Sequence, residues 1–202
     1  MFDVMRKAAQ LSKNDQSTFV DLVGMAFSSP PYKNTERAAL GTSYNPAGAM
    51  LERMYERLVH GRASSSYSGF NPNIADVEPS STITHHFREF LLAAHRNGKG
   101  IAFIANESGD DTPQGNPGDL RNGYFASMIG DGLARKRISV NEAVALTEWA
   151  YKLHSGKAPT WDNVAFKFGT RNGSQTEGDY YLDTRQYEIE DWLRDYGERN
   201  SR

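Results

Sequence analysis

Apolar residues recur every three to four positions through most of this chain, and that spacing constrains the fold more than any other feature. Side chains with this spacing share one face of an α-helix, so each such segment predicts a helix with one buried face. A chain of 202 residues can bury several such faces in one core. We therefore expect a mainly α fold, a single-domain helical bundle spanning residues 1–202. The segments are 2–10, 17–27, 46–60, 83–97, 120–133 and 140–153.

Cap-forming residues predict where these helices begin and end. Ser139 and Glu142 have the spacing of a capping box, in which each side chain bonds the other residue's backbone N–H. Asn97-Gly98 predicts a helix end, because glycine tolerates the left-handed backbone that often terminates a helix. The other expected starts are Ser17, Pro46, Thr82 or Thr84, and Asn116 or Asp119, and the other expected ends are Gly61 and Gly156.

Two segments depart from the helical pattern. Residues 61–81 are rich in Ser, Gly, Asn and Pro, which predicts a long loop, with Tyr67 and Phe70 as its apolar anchors. Residues 160–202 form an aromatic-rich C-terminal appendage, with a small β-hairpin turning at Asn172-Gly173 followed by a terminal helix. Between the two, the apolar segment from Ile101 to Ala105 is expected to be buried, as helix or strand.

Composition narrows the possible functions. The formal net charge of -2 argues against nucleic acid as a partner, because polyanion binders carry a basic excess. The absence of cysteine excludes disulfides, thiolate metal sites and a cysteine nucleophile. No phosphate-binding or dinucleotide-binding glycine motif occurs, so no organic cofactor is expected.

We find neither a signal-peptide pattern nor an apolar run long enough to span a membrane. Export would therefore need a specialised delivery system, and otherwise the protein is cytoplasmic.

Paired histidines provide the first candidate site. His85 and His86 lie four and three residues before Glu89, so either imidazole can share a helix face with that carboxylate. His85 is expected to face solvent. His86 falls on the apolar stripe, where an imidazole is costly to bury unless it is partnered or used. A metal site would need a third ligand from Glu107, Asp110, Asp111 or Asp119, and we assign none.

Further candidates follow along the chain. Glu107 ends the apolar segment, where burial would raise a carboxyl pKa and suit a general acid. Asp119 opens the next helix as a cap or a catalytic group. We predict catalytic roles for His86, Glu107 and Asp119, and substrate-binding roles for Arg88, Arg121 and Asn122.

The pattern of these residues resembles bacterial toxin-type domains at the ends of polymorphic or secreted effector proteins. In those domains a basic residue and a histidine open a helix, and a glycine, small residues, an acid and Asp-x-x-Asn follow. The resemblance implies an effector that damages a target cell, with an immunity protein or a secretion carrier as partner. Here His85 stands in place of the usual arginine. The other positions are filled by His86, Gly98 or Gly100, Ala102, Glu107, Asp119, Asn122, and Gly123 or Gly130.

A second likeness concerns Ile104 to Gly109, which is similar to the segment around the catalytic glutamate of lytic transglycosylases and muramidases. It implies peptidoglycan cleavage with Glu107 as the general acid, although the expected downstream Gly-Leu-Met-Gln segment is absent. Two of the resulting hypotheses describe an enzyme. The first is an effector-type hydrolase that acts on a component of the target cell, such as the cell envelope. The second is a muramidase-like enzyme that cleaves peptidoglycan. The third is a non-enzymatic phage or secretion-system binding protein that uses the 61–81 loop and the aromatic tail.

Overall fold

A computed structural model describes residues 1–27, 46–60, 70–71, 80–108 and 117–152 of the protein. Within these ranges the backbone is helical apart from short connections and one isolated β-bridge between Phe70 and Lys152. The expected mainly α architecture is confirmed, whereas the predicted hairpin and terminal helix lie outside the described residues. The helices are α1 (Phe2–Ser12), α2 (Gln16–Ala26), α3 (Pro46–His60), α4 (Ser80–Asn97), α5 (Lys99–Ser108), α6 (Pro117–Ala134) and α7 (Val140–Tyr151).

Local capping explains several helix ends. The capping box before α7 is confirmed: the Ser139 backbone N–H donates to Glu142 Oε2 at 2.7 Å, and the Glu142 N–H donates to Ser139 Oγ at 3.2 Å. Helix α4 ends before Gly98, whose φ of 85° lets the chain reverse into α5. These ends are predictable because each depends on residues within one turn.

Two predicted helix starts were wrong, and the third, left open between Asn116 and Asp119, agrees with Asn116. Helix α2 is capped by Asp15 rather than Ser17, since Asp15 Oδ1 accepts the Thr18 N–H at 2.8 Å. Helix α4 begins at Ser80, so Thr84 lies inside the helix and cannot cap it. The Thr84 hydroxyl instead forms a hydrogen bond with the hydroxyl of Tyr55 on α3. Helix α6 begins at Pro117, which suits a first helical position, and Asp119 therefore belongs to its first turn.

Helix α4 is the centre of the fold. Its most extensive packing is against α6, and it also packs against α2, where Leu92 lies over Gly24. Gly130 of α6 lies directly against the backbone of α4, because a Cβ at that position would overlap the Leu91 carbonyl oxygen. The backbones of α4 and α6 are therefore close enough for a polar side chain on one helix to form a hydrogen bond with the other.

Helix α5 is only partly buried. Ala102 and Phe103 belong to the core, but Ile101 and Ile104 are 59% and 64% exposed, so the expectation that the whole segment is buried was wrong. The helix is short and packs against α4 and α6. None of the helices in the described ranges has the length and apolar content needed to cross a membrane.

Candidate active site

His86 lies on the flank of α4 that faces α5. The residue is 8% exposed, and its ring packs against Phe90, with ring centroids 4.7 Å apart. Its Nε2 atom lies 3.3 Å from Oδ1 of Asn106 on α5. The apolar stripe thus predicted the burial of His86 correctly, and the structure adds a polar partner from the next helix.

Asn106 connects three helices through one carboxamide. Besides its contact with His86, its Nδ2 donates to the Leu120 carbonyl oxygen of α6 at 2.9 Å, and the residue is 1% exposed. Gly123 makes room for this arrangement, because a Cβ at that position would overlap the Asn106 carboxamide. His86, Asn106 and the Leu120 carbonyl therefore form a continuous polar path inside the bundle.

Two predicted catalytic residues are chain neighbours of this path. Asp119 is buried in the first turn of α6, immediately before Leu120. Glu107 follows Asn106 in the last turn of α5, and its side chain lies outside the described part of the structure. The segments that carry His86, Glu107 and Asp119 thus meet along the polar path.

Asn122 has a different environment from the one expected of a substrate-binding residue. It is completely buried, its Nδ2 donates to the Ile83 carbonyl oxygen of α4 at 2.9 Å, and its Oδ1 accepts the hydroxyl of Tyr151 on α7. Burial, together with the negative charge of Asp119, raises the pKa of Tyr151 well above its usual value, so this hydroxyl stays a donor. Both ends of the Asn122 amide therefore join helices.

The two arginines assigned to substrate binding lie on α4 and α6. Arg88 lies two residues from His86, and that spacing turns side chains by roughly 200° around a helix. It is buried on the opposite flank of α4, between Thr84 and Leu92, whereas Arg121 is half-buried at the start of α6. Helix geometry therefore places the side chains of Arg88 and His86 on different flanks of α4.

His85 is partly exposed, and its Nε2 lies 3.6 Å from Glu89 Oε1. Across the described ranges, no three His, Asp or Glu side chains are grouped closely enough to hold a metal ion. Asp110 and Asp111, two of the suggested third ligands, lie outside those ranges.

The sequence analysis missed two residues that contact predicted site residues: Asn106, which contacts His86, and Tyr151, whose hydroxyl donates to Asn122. Asn106 interrupts the apolar face of α5 next to a candidate acid, and a buried carboxamide at such a place needs partners for both its ends. That signal was present in the sequence, but it gave no information on which helices supply the partners. Tyr151 carries no comparable signal, because a tyrosine at the end of an amphipathic helix is commonly a core residue.

A separate open cleft of about 470 Å³ lies between α1 and α7. The ion pair between Arg6 and Glu148 spans it, and Ala9 and Val144 are among its lining residues. None of the predicted site residues lines this cleft, so it is distinct from the His86 cluster.

Comparisons with protein-family models, curated proteins and solved structures find no match to this chain. The functional argument therefore rests on the chemistry of the described side chains.

Proposed function

We propose that this protein is a toxin-type effector hydrolase in which His86 acts as a general base. The observation that supports this most directly is the polar path from His86 through Asn106 to Leu120 of α6. A histidine ring that contacts a buried carboxamide and packs against Phe90 has a restricted orientation, as a general base requires. An imidazole also takes up and releases a proton near neutral pH.

The corresponding reaction is hydrolysis by acid and base catalysis. Water attacks an electrophilic centre of the substrate while its proton passes to the His86 ring. Glu107, as the general acid, gives its proton to the leaving group, and Asp119 acts electrostatically beside the path. Proximity of Asn106 to both Glu107 along the chain and His86 in space supports this division of roles.

The bacterial cell envelope is the target class that we propose first, and muramidase-like cleavage is its specific form. In that form Glu107 protonates the glycosidic oxygen, and a positively charged sugar transition state develops. The position of Glu107 in the last turn of a partly exposed helix supports it, because a long polymer can reach such a site. An immunity protein or a secretion carrier is the expected partner of such an effector.

A non-enzymatic binding protein is the second candidate function. Ile101 and Ile104 lie one turn apart on α5 and are mostly exposed, and apolar side chains of this kind are common in protein interfaces. In that case His86 and Asn106 would be structural, and no substitution at either residue would alter turnover of any substrate.

Expression of the protein in a test bacterium, in the cytosol and in the periplasm, distinguishes these proposals. We expect the wild type to stop growth in one compartment and the His86→Gln and Glu107→Gln variants to lose most of that effect. His85→Gln is the matched control, because it changes the adjacent imidazole, which is partly exposed and paired with Glu89.

Killing confined to the periplasm would support an envelope target, and peptidoglycan fragments can then be identified by mass spectrometry. Circular dichroism must show that each inactive variant keeps its helical content. Toxicity that persists in folded His86→Gln and Glu107→Gln variants would contradict the proposed chemistry.

A further inference from the structure

The carboxamide of Asn106 has only one orientation that satisfies its neighbours. A backbone carbonyl oxygen can only accept, so the group that faces the Leu120 carbonyl must be the NH2 donor, at 2.9 Å. The oxygen Oδ1 must then face His86, where it lies 3.3 Å from Nε2. The reversed amide would set two oxygens against each other at Leu120, at a cost comparable to that of a lost buried hydrogen bond.

This orientation determines which ring nitrogen of His86 carries the proton. Because Oδ1 of Asn106 can only accept, Nε2 of His86 must donate. In the neutral ring the second nitrogen, Nδ1, then holds the basic electron pair. We infer that Asn106 is a positioning residue that holds neutral His86 as its Nε2–H tautomer, so that Nδ1 is the atom able to accept a proton.

Packing around the pair maintains this arrangement. The His86 ring is in contact with Phe90, which restricts its rotation, and Gly123 of α6 lies against the Asn106 carboxamide. Any side chain at position 123 would push the carboxamide away from its place beneath His86. Gly123 is thus the second residue required for the tautomer, although it has no side chain of its own.

The tautomer can be measured without knowing any substrate. Long-range 1H–15N correlation spectra of protein with 15N-labelled histidine separate protonated from bare ring nitrogens. They are recorded well above the ordinary imidazole pKa of about 6.5, and His86→Gln identifies the His86 signals by their loss. We expect a protonated Nε2 and a bare Nδ1 in the wild type.

Two pairs of variants test the role of Asn106. Asn106→Asp keeps an acceptor beside Nε2, although it loses the donor to the Leu120 carbonyl, and should keep the proton on Nε2. Asn106→Leu removes the acceptor and should give a mixture or the Nδ1–H form. Gly123→Ala, which leaves both His86 and Asn106 in the chain, should shift the spectrum in the same direction as Asn106→Leu. Gly132→Ala is its control, because the nearest atoms there belong to the Ile138 side chain at 3.2 Å.

The inference would be overturned by an Nδ1–H tautomer in the wild type, or by a folded Asn106→Leu or Gly123→Ala variant whose His86 signals are unchanged. Only the use of Nδ1 as the proton acceptor rests on the proposed hydrolase function. A correct tautomer in a non-toxic protein would contradict the proposed function alone, whereas His86-dependent toxicity with unchanged variant spectra would contradict the positioning role alone.

Discussion

At the scale of single residues, two buried asparagines hold this bundle together. A carboxamide without hydrogen-bond partners is costly to bury, and here each amide bonds at both ends. Asn106 contacts His86 and the Leu120 carbonyl, and Asn122 contacts Tyr151 and the Ile83 carbonyl. Each asparagine thus joins its own helix to two others, and together they set the spacing around His86.

Tyr55 provides a prediction about alkaline stability. Burial, partly offset by the hydrogen bond to Thr84, raises its pKa from 10 to about 12. Between these values the unfolded chain loses the phenolic proton before the folded protein does. The stability that the buried phenol contributes is therefore present below pH 10 and declines as the pH rises toward 12, by up to about 1.4 kcal/mol for each pH unit.

Urea unfolding at several alkaline pH values measures this decline. The Tyr55→Phe variant should show a shallower slope, because it has no proton to lose at that position. It should also be less stable at neutral pH, by about 1 kcal/mol for the missing hydrogen bond. Parallel slopes for the variant and the wild type would show that Tyr55 does not titrate in this way.

At the scale of helices, the contact between α4 and α6 depends on glycine. Gly130 and Gly132 lie inside a helical pattern, where glycine predicts either close packing or a bend. At Gly130 the structure shows close packing, because a Cβ would meet the Leu91 carbonyl oxygen and, at 3.0 Å, the His95 backbone nitrogen. Asp131 also connects elements, because its Oδ1 lies 3.4 Å from the backbone nitrogen of Lys99, at the start of α5.

Replacing Gly130 or Gly132 by alanine should change the stability by different amounts. Gly130→Ala places a methyl group against backbone atoms that cannot rotate away, so we expect a loss of about 2–3 kcal/mol or more of unfolding free energy. Gly132→Ala meets only the Ile138 side chain at 3.2 Å, and the helix propensity of alanine offsets that contact by about 1 kcal/mol.

Thermal unfolding followed by circular dichroism compares the two variants directly. The melting temperature of Gly130→Ala should fall by several degrees, and that of Gly132→Ala should stay close to the wild-type value. Equal effects would mean that helix propensity, rather than the approach of α4 to α6, determines the outcome at both positions.

At the scale of the whole molecule, the first helix is joined to the last described one. Arg6 of α1 bonds Glu148 of α7 at 2.7 Å, and it also bonds Asp3 within its own helix at 2.6 Å. Phe70, from the segment predicted as a long loop, contacts Phe2 and Tyr151, and the Asn71 backbone N–H donates to the Tyr151 carbonyl oxygen at 2.7 Å. These contacts bring distant parts of the chain together at one end of the bundle.

The ion pair between Arg6 and Glu148 should make a small but measurable contribution to the free energy of unfolding. The hydrogen bond from Arg6 lowers the pKa of Glu148 below the usual 4.5. The stability that depends on this lowered pKa is present above pH 4.5 and is lost as the pH falls through the folded pKa. Both side chains are partly exposed, so Glu148→Gln should cost below about 1 kcal/mol at neutral pH.

A double-mutant cycle of Arg6 and Glu148 isolates the coupling between the two side chains. Asp3→Asn is the matched control, because it removes an Arg6 partner from the same helix rather than from α7. The coupling should shrink in acid and at high salt. A coupling free energy of zero at neutral pH would mean that the ion pair adds no stability and forms only because α1 packs against α7.

The sequence by itself determined the helices, because hydrophobic periodicity and capping act over one or two turns. It predicted the capping box at Ser139, the helix end at Gly98, and the burial of His86 on an apolar stripe. It placed Arg88 and His86 in one site, and a separation of two residues turns their side chains by roughly 200° around the helix.

Tertiary structure alone decided which side chains meet. The partners of His86 and Asn122 come from other helices, and their distances depend on how closely α4, α5, α6 and α7 approach. Gly123 and Gly130 allow the helices to come this close because neither has a side chain. The sequence alone does not reveal this, because it does not say which helix lies against each glycine. Local sequence patterns thus determine the helices, and the hydrogen bonds between buried polar groups help to determine how the helices pack together.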